Sequence, residues 1–545
     1  MKLFSRNYIM PISWFLVAFL AIPFDQLARF SMMPGDIGDA RLNNYFLENI
    51  YQYLCGHSAS LIHLSFFYPF PYVLGFSDNL FGAAPVYLMA RALAIEPDTS
   101  FQIWFFLGYL FNYCAAYWAL RRLRIGPLGA VVGALVFSFA LPVSWKMGHA
   151  QLHYRFGVPL AVAMFLEFLE KRRWYALLPV LVWLLWAFYC SIYIGFFLLL
   201  LLFAMFIVHL FREVTSGASV KKECLFYISD WRSLMPVQKV FFISGLCVFA
   251  VLLAVLFYPY WQVSTLYHAK RSLGEIASML PRFQSYFLSD GSWIWSSQST
   301  LFSNIPMRQE HQLFIGVVPM LLALMGYLVG KPKYAGFAYS VVGPAFVALI
   351  VLTLSMGGMS LWYLLANFPL ASAIRAMTRI ILVLLFPIAF FCALGIDHLG
   401  QRTLWGKKLI LVLLLPAFLF EASATTVSRS PKAEWRSRIE HLDSSVPAVL
   451  PAKSILFFAQ QAEPFFAQEL DAMWVAMRRG VPTLNGYSGG YPPGLMIQYG
   501  RDCLELQSRV RGYLRFTGKE NDSDAYTEMV RRIVPIGFDN CEPRH

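Results

Sequence analysis

Charge is what this chain has least of. Only 14% of its 545 residues are Asp, Glu, Lys or Arg, whereas 58% are hydrophobic and the mean hydropathy is +0.55. A soluble domain is usually about 45–50% apolar and covers its core with charge. A water-soluble protein of this composition would leave much apolar surface exposed, so lipid is the expected solvent. None of the eight cysteines forms a CxxC pair, which removes the usual zinc and redox signals. There is no HExxH and no internal repeat. A continuous basic stripe is also missing: the formal charge of +13 is spread over short clusters between apolar runs, which excludes nucleic acid as the expected partner.

What the chain does have is apolar runs long enough to cross a hydrocarbon core of about 30 Å. They lie near 8–24, 101–120, 128–143, 157–170, 175–190, 192–211, 239–257, 313–330, 336–354, 379–396 and 408–421. The first carries Lys2 and Arg6 but is followed by Ala21-Ile22-Pro23-Phe24, with no small-x-small cleavage site, and reads as a retained signal anchor. Lysine and arginine gather at every second loop: Arg121-Arg122-Leu123-Arg124, Lys171-Arg172-Arg173, the segment from Arg212 to Lys239, Lys331-Pro332-Lys333, and Arg402 with Lys407-Lys408. Cytoplasmic loops hold such an excess. The N-terminus is therefore expected inside, and residues 25–100, 149–155, 258–312, 355–378 and everything after about 422 outside.

The first external segment contains Pro34-Gly35-Asp36-Ile37-Gly38-Asp39-Ala40-Arg41. Asp39 onward reads as a helix with Leu42, Phe46, Ile50 and Leu54 on one face. Two readings compete for its carboxylates. Asp36 is a turn residue and Asp39 an N-cap, or one of them, held against apolar helices, is tuned for proton transfer. Tyr68-Pro69-Phe70-Pro71-Tyr72 and Ser77-Asp78-Asn79-Leu80 then precede an apolar run ending in Arg91, short enough to lie along the interface.

The chain resembles the GT-C superfamily of membrane glycosyltransferases, most of all its YfhO-like bacterial branch. Four stretches carry the resemblance: Gly35 to Arg41, Tyr68-Pro69 through Leu80, Glu310-His311-Gln312-Leu313-Phe314-Ile315-Gly316, and Ile374-Arg375-Ala376-Met377-Thr378-Arg379. It covers roughly residues 8–421. It implies a first-loop carboxylate as catalytic base, hence Asp36 or Asp39, and a donor sugar on a polyprenyl phosphate. There is no adjacent acidic pair of the kind some relatives have.

A lipid-phosphate donor needs cations where charge develops on the leaving group, and arginine offers a fork that matches phosphate oxygens. Arg375 and Arg379 stand four apart, on one face if that stretch is helical. Arg155, Lys270 and Arg271 are further candidates, each with the alternative of sitting at headgroup level. Glu310, His311 and Asp78 are candidates for binding the sugar. His149 and His153 are also four apart, a zinc spacing, but polar-network histidines are the better reading. Trp293, Trp295, Trp362 and Tyr363 fit an interfacial aromatic belt as well as sugar stacking.

After about residue 422 the composition turns polar. Ser454 to Phe458 reads as a strand, Phe465 to Arg479 as a helix, and Thr483 to Pro493 as a loop whose Asn485-Gly486-Tyr487-Ser488-Gly489 carries no assigned chemistry. Cys503 and Cys541 share this external segment and are expected to form a disulfide.

The expected fold class is therefore an α-helical polytopic membrane protein of about eleven transmembrane helices, GT-C-like, with a small C-terminal extracytoplasmic α/β or α+β domain. The expected domains are residues 1–421, with external loops 25–100 and 258–312, and residues 422–545. The expected function is transfer of a sugar from a polyprenyl-phosphate donor to a glycan or lipid acceptor outside the bacterial cytoplasmic membrane. No metal is required by that chemistry, although Asp36 and Asp39 leave a divalent cation possible. The alternatives are a transporter or flippase of lipid-linked saccharide, or a non-catalytic envelope-assembly protein. Transporters usually keep ionisable residues inside their spans, and here the acids cluster outside.

Overall fold

A computed structural model of the chain describes residues 6–216, 220–268, 270–329, 336–368, 371–402, 409–460, 464–493, 495, 503–539 and 541. Among the described residues, seven helices are long and apolar enough to cross a membrane: Pro97–Arg122, Pro127–Trp145, Ala150–Lys171, Ile192–Thr215, Pro236–Leu266, Gly336–Thr353 and Met377–Gly400. Four shorter apolar segments, Ile9–Phe24, Trp174–Cys190, Val317–Leu328 and Ile410–Ser423, stand at the other four apolar runs of the sequence. Each coincides with one of the apolar runs in the sequence. Lys331, Lys333, Lys407 and Lys408, which helped to orient the spans, lie outside the described residues.

The chain divides into two compact units. Unit 1 holds residues 1–29, 104–254 and 270–428, and unit 2 holds 30–103, 255–269 and 429–545.

Unit 1 is organised around Met377–Gly400. Its most apolar stretch is 94% buried, against 11% for Pro236–Leu266, so the first is a core helix although the second is slightly the more apolar in sequence. It packs between Val317–Val329 and Pro127–Phe139. Small residues make that approach close: a Cβ on Gly326 would lie 1.9 Å from the carbonyl oxygen of Phe391, and one on Gly395 2.6 Å from that of Leu322. Between membrane helices, where lipid is as apolar as leucine, such close backbone contact is a main source of attraction.

In unit 2 the first strand, β1 (Met32–Pro34), pairs antiparallel with β2 (Arg429–Pro431), so Met32 faces Pro431. Gln102 secures β1 by donating to the carbonyls of Phe30 and Met32, at 2.9 and 2.7 Å. A second sheet sets β3 (Ile455–Phe458) parallel to β4 (Ile533–Ile536). The helices Lys432–Ser444, Phe465–Arg479, Leu504–Phe516 and Ser523–Arg532 accompany these strands. Phe465–Arg479 ends where Gly480 turns left-handed, with φ +65°, and its N–H reaches back to Ala476 and Met477. Ile455, Phe457, Leu484, Val510 and Leu514 form the apolar core. Cys503 and Cys541 are joined as a disulfide, with Cα atoms 5.5 Å apart.

Replacing Gly326 with Val forces apart the Val317–Val329 and Met377–Gly400 helices. Overpacking of this kind costs about 1–3 kcal/mol. The expected outcome is a lower unfolding midpoint of the detergent-solubilised protein by fluorescence-detected size exclusion, and an unchanged midpoint for the exposed Val347→Ala control.

Candidate active site

The turn Gly35-Asp36-Ile37-Gly38 follows β1 directly, so strand pairing fixes where both candidate acids stand. Asp36 is exposed, and its Oδ1 accepts the Gly38 N–H at 3.0 Å. It performs the turn role open to it in the sequence. Asp39 is not an N-cap: Gly38 occupies that position and Asp39 is the first residue of the helix Asp39–Leu54. A carboxylate there is favoured by the helix dipole. Its Oδ1 accepts the phenol O–H of Tyr487 at 2.8 Å. Burial raises the Tyr487 pKa, and the charges of Asp39 and Asp36 raise it further, so the phenol stays a donor.

Tyr487 is held from behind. Arg509 donates to Glu469 at 2.7 Å and to Glu505 at 2.5 Å, and Glu469 in turn accepts the N–H of Gly486. Arg41 pairs with Asp471, which also takes Arg438 at 2.7 Å, tying the Asp39 helix to Phe465–Arg479. Asp78, also in unit 2, is buried and accepts the N–H of Asn79 at 3.1 Å.

Unit 1 holds a separate cluster with Glu310 at its centre. Lys146 donates to Glu310 Oε2 at 2.7 Å, Arg379 to Oε1 at 2.8 Å, and His149 Nε2 lies 3.0 Å from Oε1. Arg379 also stands over the ring of Tyr193, 4.8 Å from its centroid. Burial pushes the Glu310 carboxyl up, but Arg379, Lys146 and His149 together outweigh it and hold the pKa well below the ordinary value. Glu310 therefore remains ionised. Beside it Glu275 accepts from Arg375 at 2.9 Å and from Arg271 at 3.4 Å. Burial, and then Arg375, lower the Arg271 pKa, and Arg379 acts on it in the same direction. Among the described residues, these ion pairs set four positive charges, Lys146, Arg271, Arg375 and Arg379, about the two negative ones of Glu275 and Glu310.

The remaining sequence candidates are placed as follows. Arg375 and Arg379 do not share a helical face: Arg375 precedes the 3₁₀ turn Met377–Ile380 that contains Arg379, and each takes a different acid. Arg308 pairs with Asp290 at 2.7 Å, leaving Glu310 to the buried cations. His311 Nε2 lies 2.8 Å from the Ser278 carbonyl and so carries the proton, while Nδ1 accepts from Ser285 at 2.7 Å. Both ring nitrogens thus hold the 308–311 turn in place. Arg155 is fully buried, donates to the Phe137 carbonyl at 3.3 Å and lies over the Phe137 ring. Lys270 is exposed. His153 stacks on Phe105 and reaches its carbonyl at 2.7 Å, so His149 and His153 serve different partners. Among the described residues no three His, Cys, Asp or Glu side chains form a metal-ligating group.

Sequence reasoning missed Lys146 and Tyr487. Lys146 follows an apolar helix as any flanking lysine does, and nothing local marks its partner 164 residues away. Tyr487 did have a signal, the Asn-Gly-Tyr-Ser-Gly loop.

No family model and no curated protein matches the sequence. The fold does have solved counterparts. The apo oligosaccharyltransferase of Archaeoglobus fulgidus superposes with a TM-score of 0.51 at 12% identity, over 87% of this chain and 64% of that one. The same organism's AglB, in complex with an inhibitory peptide and a dolichol-phosphate, gives 0.50 at 11% identity over 88% and 64%. A weaker likeness, TM-score 0.43 at 13% identity over 88% and 89%, is to ArnT of Cupriavidus metallidurans bound to undecaprenyl phosphate. The chain thus spans about two-thirds of the length of the archaeal enzyme, 64%, and has the GT-C membrane fold.

Removing the Glu310 charge strands Lys146 and Arg379 in a buried setting, a change that costs about 3–5 kcal/mol. E310Q is expected to lower the unfolding midpoint accordingly. Because the folded pKa of Glu310 is depressed, its stabilisation is complete above the ordinary carboxylate value of 4.5 and is lost as pH falls through the lower folded value. Midpoints measured from pH 7 downward should converge for parent and E310Q in acid; parallel curves would contradict this assignment.

Proposed function

We propose that the protein is an inverting glycosyltransferase that moves a sugar from a polyprenyl-phosphate carrier to an acceptor hydroxyl on the extracytoplasmic face of a bacterial cytoplasmic membrane. The observation that carries this reading is the basic cluster of unit 1, where Lys146, Arg271, Arg375 and Arg379 outnumber the acids that order them. Such a surplus suits a phosphate that gains charge as it leaves. The fold agrees with it, since AglB of the same fold binds dolichol-phosphate. The four motif stretches favour the YfhO-like branch of the superfamily.

The proton-accepting role falls to Asp39 in preference to Asp36, because Tyr487 orients the Asp39 carboxylate while Asp36 is occupied by its own turn. In the reaction the acceptor O–H gives its proton to Asp39 and its oxygen bonds to the anomeric carbon. The bond from that carbon to phosphate oxygen breaks, and the polyprenyl phosphate leaves with the electron pair. Attack opposite the leaving group inverts the anomeric centre. Arg375 and Arg379, with Arg271 and Lys146, offset the phosphate charge. Glu310 keeps Lys146 and Arg379 in place and is a positioning residue. With the donor already activated, the step needs no metal.

The test is transfer from short polyprenyl-phosphate sugars in proteoliposomes. General-base catalysis contributes about 10²–10⁴-fold, so D39N should lose at least about 100-fold in rate. Y487F, which removes one hydrogen bond, should lose about 3–10-fold, and D36N less. A D39N variant as fast as the parent rules out the base assignment. If the parent transfers no sugar from any donor, while vesicles move lipid-linked glycan across the bilayer, the transferase reading itself fails.

A further inference from the structure

In unit 1, the segment that joins Gly336–Thr353 to Met377–Gly400 has no charged residue from Leu354 to Ile374. Its tip is a two-residue hairpin. Met356 and Met359 exchange backbone hydrogen bonds at 2.9 and 3.0 Å, and both turn residues are left-handed, Gly357 at φ +57° and Gly358 at φ +84°. Glycine suits both positions of such a turn. Beside it, where turns that meet water draw on Asn, Asp and Ser, stand two methionines. Met356, Met359, Leu361, Leu364 and Phe368 are all large, apolar and 49–77% exposed.

The segment is fastened to the rest of the unit. Ser355 donates its N–H to the Pro281 carbonyl at 2.7 Å, and the fully buried Trp362 meets the Phe196 ring edge-on, with centroids 6.1 Å apart. Ser360 caps the 3₁₀ turn Leu361–Leu364 by accepting the Trp362 N–H at 3.2 Å. The exposed side chains therefore stand on an ordered backbone. Apolar surface gathered in one uncharged segment calls for a partner other than water, and the neighbouring span says which. The segment leaves directly from Gly336–Thr353, a membrane helix whose exposed Val347 and Val351 face lipid. No charged residue interrupts the chain between those valines and Phe368. A short hairpin has limited reach, so its side chains meet the headgroup and upper acyl region, about 5–10 Å deep.

We propose that the hairpin Met356–Met359 and the turn Leu361–Leu364 dip into the lipid leaflet at that end of Gly336–Thr353, with Met356, Met359, Leu361 and Leu364 among the upper acyl chains. Phe196, which packs on Trp362, is three residues from Tyr193 and so a neighbour on the same helix face. Arg379 lies on Tyr193. The immersed segment thereby sets the depth of Arg379 at the membrane surface. The proposal stands without the transferase reading.

The test measures immersion depth in the full-length chain. The exposed free cysteines Cys55, Cys114 and Cys247 are replaced by alanine, and M359C is spin-labelled and reconstituted in phosphatidylcholine vesicles. The ratio of oxygen to nickel-chelate accessibility, which rises with depth in lipid, is compared with two references. These are V347C on the lipid-facing side of the span and S303C at an exposed position of a polar loop. The ratio at 359 should exceed that at 303 several-fold and approach that at 347. L364C gives an independent reading if M359C misfolds. Ratios at 359 and 364 no higher than that at 303 overturn the proposal. Dipolar broadening between labels at 359, the sign of a second copy seated on the hairpin, overturns it as well. Sugar transfer is assayed separately, so its absence discredits only the transferase reading.

Discussion

Glu310 is the carboxylate around which unit 1 closes. It sits on a short turn, yet it gathers Lys146 and His149 from beyond the end of Pro127–Trp145 and Arg379 from the start of Met377–Gly400. Those helices are the ones that pack directly in the core of the unit. A buried ion pair need not add net stability, but one acid shared by two cations and an imidazole fixes geometry. Arg379 in turn lies on Tyr193, at the start of Ile192–Thr215. One ionised group thereby registers the ends of three membrane helices.

Two further acids work along similar lines at the ends of membrane segments. Asp397 accepts the Gly126 N–H at 2.6 Å, just ahead of the helix that begins at Pro127. Glu421 accepts the N–H groups of Val317 and Val318 at 2.6 and 3.1 Å and the indole N–H of Trp295 at 2.7 Å. Helix N-termini leave N–H groups without partners, and lipid offers none. The scarce charges of this sequence are thus placed where they complete helix ends.

How much of this was legible in the sequence depends on the range of the interaction. The eleven apolar segments were readable because spanning a bilayer requires a local run of apolar residues. The helix Phe465–Arg479 was readable for the same reason, its apolar face and its glycine stop being local. Which apolar helix is core and which faces outward was not readable, since Met377–Gly400 and Pro236–Leu266 look alike until packing separates them. Arg375 and Arg379 were found, but the shared helical face expected from their spacing was not, because the chain enters that helix through a 3₁₀ turn. Glu310 was picked out by its motif, yet its partners come from segments far away in the chain.

The pairing of Asp39 with Tyr487 bridges 448 positions of sequence, and Met32 in β1 meets Pro431 in β2. Contacts of such separation form late, because the intervening chain must first be ordered. During synthesis, the segment from Asp36 to Leu54 emerges long before the loop that carries Tyr487. A nascent or truncated chain then lacks the hydroxyl that orients Asp39. The distance between the two residues in sequence works as a timer that withholds the assembled carboxylate until unit 2 is whole.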